Sequence, residues 1–247
     1  MLGRMLLRRG THIHYRTRTS SILNELDIST KNDYIKKLHK QEIPILICTG
    51  PTGTGKTFLS CREGIHQILS GRYKKLIITR PTISIDNEQL GYLPGDINKK
   101  MTPWLIPIYN SFEQTIGVKQ FEKLMKEKVI EICPFAYLRG RTFDDSFVIA
   151  DEMQNSSVMQ IKTLMTRIGN NTKLIINGDS AQSDDSRKNG LSDFLKRTST
   201  YKNEIKYIEY INLSEEDIVR HPVVVEVLDI YKETQEQLVR YLNNYPW

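Results

Sequence analysis

Cysteine is scarce in this chain: Cys48, Cys61 and Cys133 are the only three in 247 residues. The number is odd and no C-x-x-C pair occurs, so neither a disulfide framework nor a zinc site is indicated. Each of the three lies in an apolar run and reads as a buried, inert thiol. A reducing, intracellular and cytoplasmic setting follows. No run approaches the ~18 apolar residues of a membrane helix, so no membrane partner is expected. Internal repeats and low-complexity linkers are also missing. What remains is one large α/β domain, with room for decoration.

Acid is missing from residues 1–20, "MLGRMLLRRGTHIHYRTRTS", which hold Arg4, Arg8, Arg9, Arg16 and Arg18. Those five arginines account for all but one of the six net positive charges. The basicity therefore belongs to an arm, expected to be disordered, and residues 21–247 form the domain. Three readings of the arm stay open. It is a solvated tail, a non-specific nucleic-acid contact, or an organelle-targeting segment.

The most informative stretch is "GPTGTGKTFLS". Gly50, Pro51, Thr52, Gly53, Thr54, Gly55, Lys56 and Thr57 fit the pattern G-x-x-x-x-G-K-[ST], a loop whose backbone N–H groups cradle phosphates. Glycines are needed because a Cβ blocks the inward turn of consecutive amides. In this pattern Lys56 reaches the β- and γ-phosphates and Thr57 places its hydroxyl on Mg²⁺. "IPILICT" before the loop reads as a buried strand, and "TFLSCREGIHQILSG" after it as a helix. The helix N-terminus then points at the phosphate.

Apolar runs and helical stretches alternate along the rest of the chain. Strands are expected at Ile45–Thr49, Leu76–Thr79, Val129–Cys133, Phe147–Ala150, Leu174–Asn177 and Ile205–Ile211. Helices are expected around "SSILNELDISTKNDYIKKLHKQ", with Ser29 or Thr30 capping its second half, around "QIKTLMTRIG" and "SDFLKRTST", and after Pro222. Such alternation implies a mostly parallel sheet with helices on both faces. Ligands of such sheets bind at the carboxyl ends of the strands.

Two strand ends carry chemistry. "SFVIADE" runs into Asp151, expected on Mg²⁺, and Glu152, placed to polarise water as a general base. "LIINGDSAQ" runs into Asp179 and Gln182, a residue type that orients water beside a γ-phosphate. Arg139 and Arg141 in "AYLRGRTF" suit phosphate or nucleic-acid contacts, or form a solvated pair. Arg220 in "DIVRHP" is a candidate arginine finger, and His221 beside it reads as structural. Tyr73, Tyr92, Trp104 and Tyr109 either stack on bases or pack in the core.

Together "GPTGTGKT", "ITRP", "LGYLPGD", "AYLRGRTFDDSFVIADEMQN", "LMTRIG", "GDSAQ" and "DIVRHP" occur in one order over roughly residues 30–232. In this the chain resembles the PhoH-like ATPases, a family similar to the ATP-binding half of superfamily 1 helicases. The resemblance implies a single RecA-like P-loop domain that hydrolyses ATP with Mg²⁺ and acts on RNA or DNA. It places Asp151, Glu152 and Gln154 in the Walker B motif, Gln182 in the γ-phosphate sensor and Arg220 in the late arginine motif. It adds Arg80 of "ITRP" to the phosphate or nucleic-acid contacts. Lys31 departs from the family, which has an adenine-reading glutamine there. One RecA-like unit leaves the phosphate open on one side, so a homo-oligomer is expected, with Arg220 completing a neighbour's site.

Two rivals remain at this point. A P-loop kinase for a small molecule accounts for the loop and the metal aspartate but needs neither Glu152 nor "GDSAQ". A nucleotide-gated binding module with negligible turnover needs no general base.

Overall fold

The computed structural model describes residues 29–81, 97–179, 189–218 and 223. The arm of residues 1–20 and the helix expected after Pro222 lie outside them, apart from Val223. Six strands form one sheet: β1 Ile45–Thr49, β2 Lys75–Thr79, β3 Ile130–Ile132, β4 Ser146–Ala150, β5 Thr172–Gly178 and β6 Ile208–Asn212. Their order is β3-β2-β4-β5-β1-β6, and every pairing is parallel. The helices are α1 Ser29–His39, α2 Lys56–Leu69, α3 Ile97–Ile116, α4 Val118–Lys126, α5 Val158–Met165 and α6 Gly190–Ser199. Short 3₁₀ turns occur at Phe135–Leu138, Met153–Asn155 and Glu215–Asp217.

The sequence explains this sheet. A parallel sheet is covered on both faces, so its inner strands are apolar throughout rather than alternating. β1, β4 and β5 are buried at every residue. Their side chains still divide by the two-residue period of a strand. Leu46, Cys48, Leu76, Ile78, Phe147, Ile149 and Ile175 join one core with α1, α2, α3 and α4. Ile45, Ile47, Ile77, Val148, Ala150, Leu174 and Ile176 join a second core with α5 and α6. Helices thus cover both faces, and β5 lies between the loop strand β1 and the acidic strand β4. This is the expected RecA-like α/β arrangement.

The cysteines are free and buried, and burial raises all three thiol pKa values, that of Cys48 to about 12. Tyr73 meets Phe147 edge-on at 5.7 Å, and Tyr109 lies 5.5 Å from Phe121, so these two tyrosines pack in the core. Tyr92 lies outside the described residues. Among the described residues no helix is long and apolar enough to cross a membrane.

Two helices escaped the sequence reading. α3 contains Pro103 and Pro107, which read as breaks because proline lacks the N–H of the helix ladder. Gly117 separates α3 from α4, and Phe112 stacks on Phe121 across that joint at 5.5 Å. The sixth strand starts at Ile208 rather than Ile205.

One buried lysine fixes α1 to the sheet. Lys173 on β5 donates to the carbonyls of Lys37, Lys40 and Ile43 at 3.0, 2.7 and 2.6 Å. These carbonyls lie in the last turn of α1 and in the segment that follows it, and a cation suits that end of the dipole.

Candidate active site

The loop after β1 is built by positive φ angles. Gly50 has φ 145°, and a Cβ there would lie 2.5 Å from the Leu213 carbonyl oxygen, so only glycine fits. Gly55 caps α2 in the left-handed region at φ 90° and offers no side-chain acceptor. The first N–H groups of a 14-residue helix are thereby directed into the loop, an anion site with the helix dipole behind it. Thr54 braces the turn by donating to the Pro51 carbonyl at 2.9 Å. Lys56 Nζ donates to the carbonyls of Gly50 and Pro51 at 2.6 and 2.8 Å, which holds the ammonium within the loop.

Thr57 Oγ1 donates to Asp151 Oδ1 at 2.7 Å, joining residues 94 apart in sequence. Asp151 is buried, and its N–H bonds the Thr79 carbonyl at 2.9 Å. Burial raises its pKa, and the Glu152 charge adds to the rise, while Thr57, Arg80 and Asn177 oppose it. A carboxylate in that position favours a nearby cation. The two oxygen donors suit a hard ion such as Mg²⁺, which binds through one or two protein groups and otherwise through water and phosphates.

Glu152 is held in the left-handed region at φ 54°, a strained conformation for a side chain with a Cβ. Arg80 at the end of β2 stands 3.7 Å from Glu152 Oε1. Gln154 Nε2 donates to Glu152 Oε2 at 2.6 Å, and Gln154 Oε1 accepts from the Asp179 N–H at 3.0 Å. Buried Gln154 therefore clasps the ends of β4 and β5 and aims the Glu152 carboxylate.

Below the site runs a buried polar chain. Tyr34 Oη donates to Asn177 Oδ1, and Asn177 Nδ2 donates to Ser60 Oγ, each at 3.0 Å. It ties α1, β5 and α2 together. The sequence signal for it was an asparagine inside the apolar run "LIIN", since a buried amide needs partners.

The two arginines of "AYLRGRTF" differ. Arg141 forms a two-pronged bond with Glu131 at 2.5 and 3.0 Å and lies over the Phe143 ring at 5.8 Å. The pairing lowers the Glu131 pKa. Its guanidinium is thus spent on the sheet edge. Arg139 is exposed, next to exposed Tyr137. Gln182 and Arg220, with His221, lie outside the described residues.

Gln154→Ala is expected to leave nucleotide binding intact and to lower turnover by ~10- to 10²-fold, because the Glu152 carboxylate, the expected general base, loses its aim. Steady-state rates beside equilibrium binding check this. A matching loss of both would make Gln154 a folding residue instead.

A family model described as PhoH-like protein matches residues 27–232. A PhoH-like protein of Bacillus subtilis is 38% identical over 201 residues, covering 81% of this chain and 61% of the relative. Protein PhoH of Escherichia coli is 35% identical over 202 residues, covering 80% of this chain and 55% of the relative. The chain thus spans 54–61% of the length of the curated relatives named here and their near neighbours. Among solved structures, the helicase domain of Pyrococcus furiosus Hef matches with a TM-score of 0.46 at 13% identity, covering 81% of this chain and 40% of that one.

Proposed function

The chain belongs to the PhoH-like family, and from that premise we propose that it is a Mg²⁺-dependent nucleoside-triphosphate hydrolase, with ATP the substrate implied by the resemblance. The observation that carries the reading is the 2.7 Å contact of Thr57 with Asp151 at the mouth of the phosphate loop. A loop hydroxyl and a distant strand-end carboxylate meet where a phosphate-bound cation belongs.

Each residue then has a task. The loop amides of residues 50–57 and the Lys56 ammonium hold the β- and γ-phosphates. Thr57 and Asp151 would hold Mg²⁺, which would neutralise charge on the phosphates. Glu152 takes a proton from the attacking water, with Gln154 orienting the carboxylate and Arg80 flanking it. Gln182 senses the γ-phosphate.

Coupling to single-stranded RNA or DNA is part of the proposal. Tyr137 and Arg139, both exposed at the turn that follows β3, would supply a stacking surface and a phosphate contact. The arginines of the arm add a sequence-independent term. Arg220 of a neighbouring copy completes the site in a homo-oligomer. The three buried thiols fit a reducing, cytoplasmic setting.

Phosphate release measured with and without single-stranded RNA and DNA tests the coupling. The rate is expected to rise with at least one of them, and the stimulation to fall as salt is raised. A rate indifferent to both would remove nucleic acid from the proposal and leave the hydrolase.

A further inference from the structure

Asn177 is fully buried on β5, in register with Cys48 of β1 and next to apolar Leu174, Ile175 and Ile176. An amide in such a strand is costly unless its polar atoms are used. Here they are. Oδ1 accepts from Tyr34 Oη and Nδ2 donates to Ser60 Oγ, each at 3.0 Å. Asn177 also lies one residue beyond the Ala150–Ile176 pair of β4 and β5, which sets it beside Asp151. Its amide bonds that carboxylate and favours the charged form against burial.

Ser60 carries the grip onward. Its hydroxyl donates to the Lys56 and Thr57 carbonyls at 2.9 and 3.0 Å. Thr57 Oγ1 in turn donates to Asp151 Oδ1 at 2.7 Å. The contacts close a ring through Asn177, Ser60, Thr57 and Asp151, and Tyr34 braces it from α1. Both oxygen donors of the candidate cation site belong to this ring. They come from α2 and β4, while β5 is the strand that borders both the loop strand β1 and the acidic strand β4. An apolar side chain of similar size fills such a place without needing partners. The amide adds orientation.

We propose that Asn177 is a positioning residue for the cation site. It sets the direction of the Asp151 carboxylate and, through Ser60, the place of Thr57, with Tyr34 holding the amide. This rests on the hydrolase reading above and adds the residue that keeps its Mg²⁺ donors together.

Binding of the β,γ-imido analogue of ATP to the full chain, titrated with Mg²⁺, tests it. Groups that orient metal ligands are commonly worth ~10- to 100-fold in metal affinity. Asn177→Ala is expected to raise the Mg²⁺ concentration at half-saturation by ~10-fold. Affinity for the analogue without Mg²⁺ is expected to stay the same, because the loop amides and Lys56 are untouched. Tyr34→Phe removes one hydroxyl and keeps the ring. It is expected to shift the midpoint the same way by less, and it keeps the test open should Asn177→Ala fail to fold. Ile176→Val, in the core on the other face of β5, is the control for lost stability. It is expected to lower the unfolding temperature and leave the Mg²⁺ midpoint in place. An unmoved midpoint in the Asn177 and Tyr34 variants, an equal shift in Ile176→Val, or a matching loss of affinity without Mg²⁺ would overturn the positioning role and leave the hydrolase reading standing. Wild-type protein that binds the analogue no better with Mg²⁺ than without would overturn the cation reading as well.

Discussion

Replacing Lys56 by alanine is expected to lower nucleotide turnover by ~10³-fold or more, to the floor of a phosphate-release assay. The ammonium is the only side-chain cation of the phosphate loop, held by the Gly50 and Pro51 carbonyls at 2.6 and 2.8 Å. A single preorganised donor aimed at developing charge is commonly worth ~10²–10³ in rate. A full charge beside the transferring phosphoryl group belongs at or above the top of that range. The substitution should spare the fold, since Lys56 contributes to neither core and the Ser60 hydroxyl meets residue 56 through its backbone carbonyl, which alanine keeps. Unchanged thermal unfolding alongside lost turnover is the expected pair of results. Substantial residual hydrolysis by the purified variant would remove the loop from the chemistry.

The next largest effect separates binding from the chemical step. Glu152→Gln keeps size and hydrogen bonding but cannot take a proton, so turnover is expected to fall by ~10²-fold or more with nucleotide binding retained. Asp151→Asn acts differently. It removes the charge that Thr57 and the buried strand end present to a cation. Binding that depends on Mg²⁺ should weaken together with turnover. Nucleotide affinity measured at several Mg²⁺ concentrations, with single-turnover rates, resolves the two. Equal and complete loss of binding in both variants would show that the roles are wrongly divided.

Both expectations rest on a site whose parts were unequally legible. β1 was readable to the residue, because an inner parallel strand must be apolar throughout and the phosphate loop marks its end. β4 and β5 were nearly as clear, for the same reason and because polar clusters close them. β6 pairs only with β1, is half exposed, and has the mixed sequence of an edge strand, so its start was misread. α3 was hidden by the two prolines inside it. The fit of Thr57 to Asp151 followed from motif chemistry. The Gln154 clasp did not, because it depends on β4 and β5 being neighbours, and no local pattern states which strands pair. The same holds for Arg141, whose engagement with Glu131 needs the turn through Phe135–Leu138. Local chemistry shows in the sequence, while the partners of a side chain are set by topology.

The central claim is that this site transfers a γ-phosphoryl group to water. Turnover in ¹⁸O-labelled water tests it most directly, because the label shows where the phosphoryl group goes. The account predicts Mg²⁺-dependent release of inorganic phosphate carrying one oxygen from the labelled water, with the signal lost in Lys56→Ala. Release of no phosphate from ATP, or passage of the phosphoryl group to an acceptor molecule with no label gained, would contradict it.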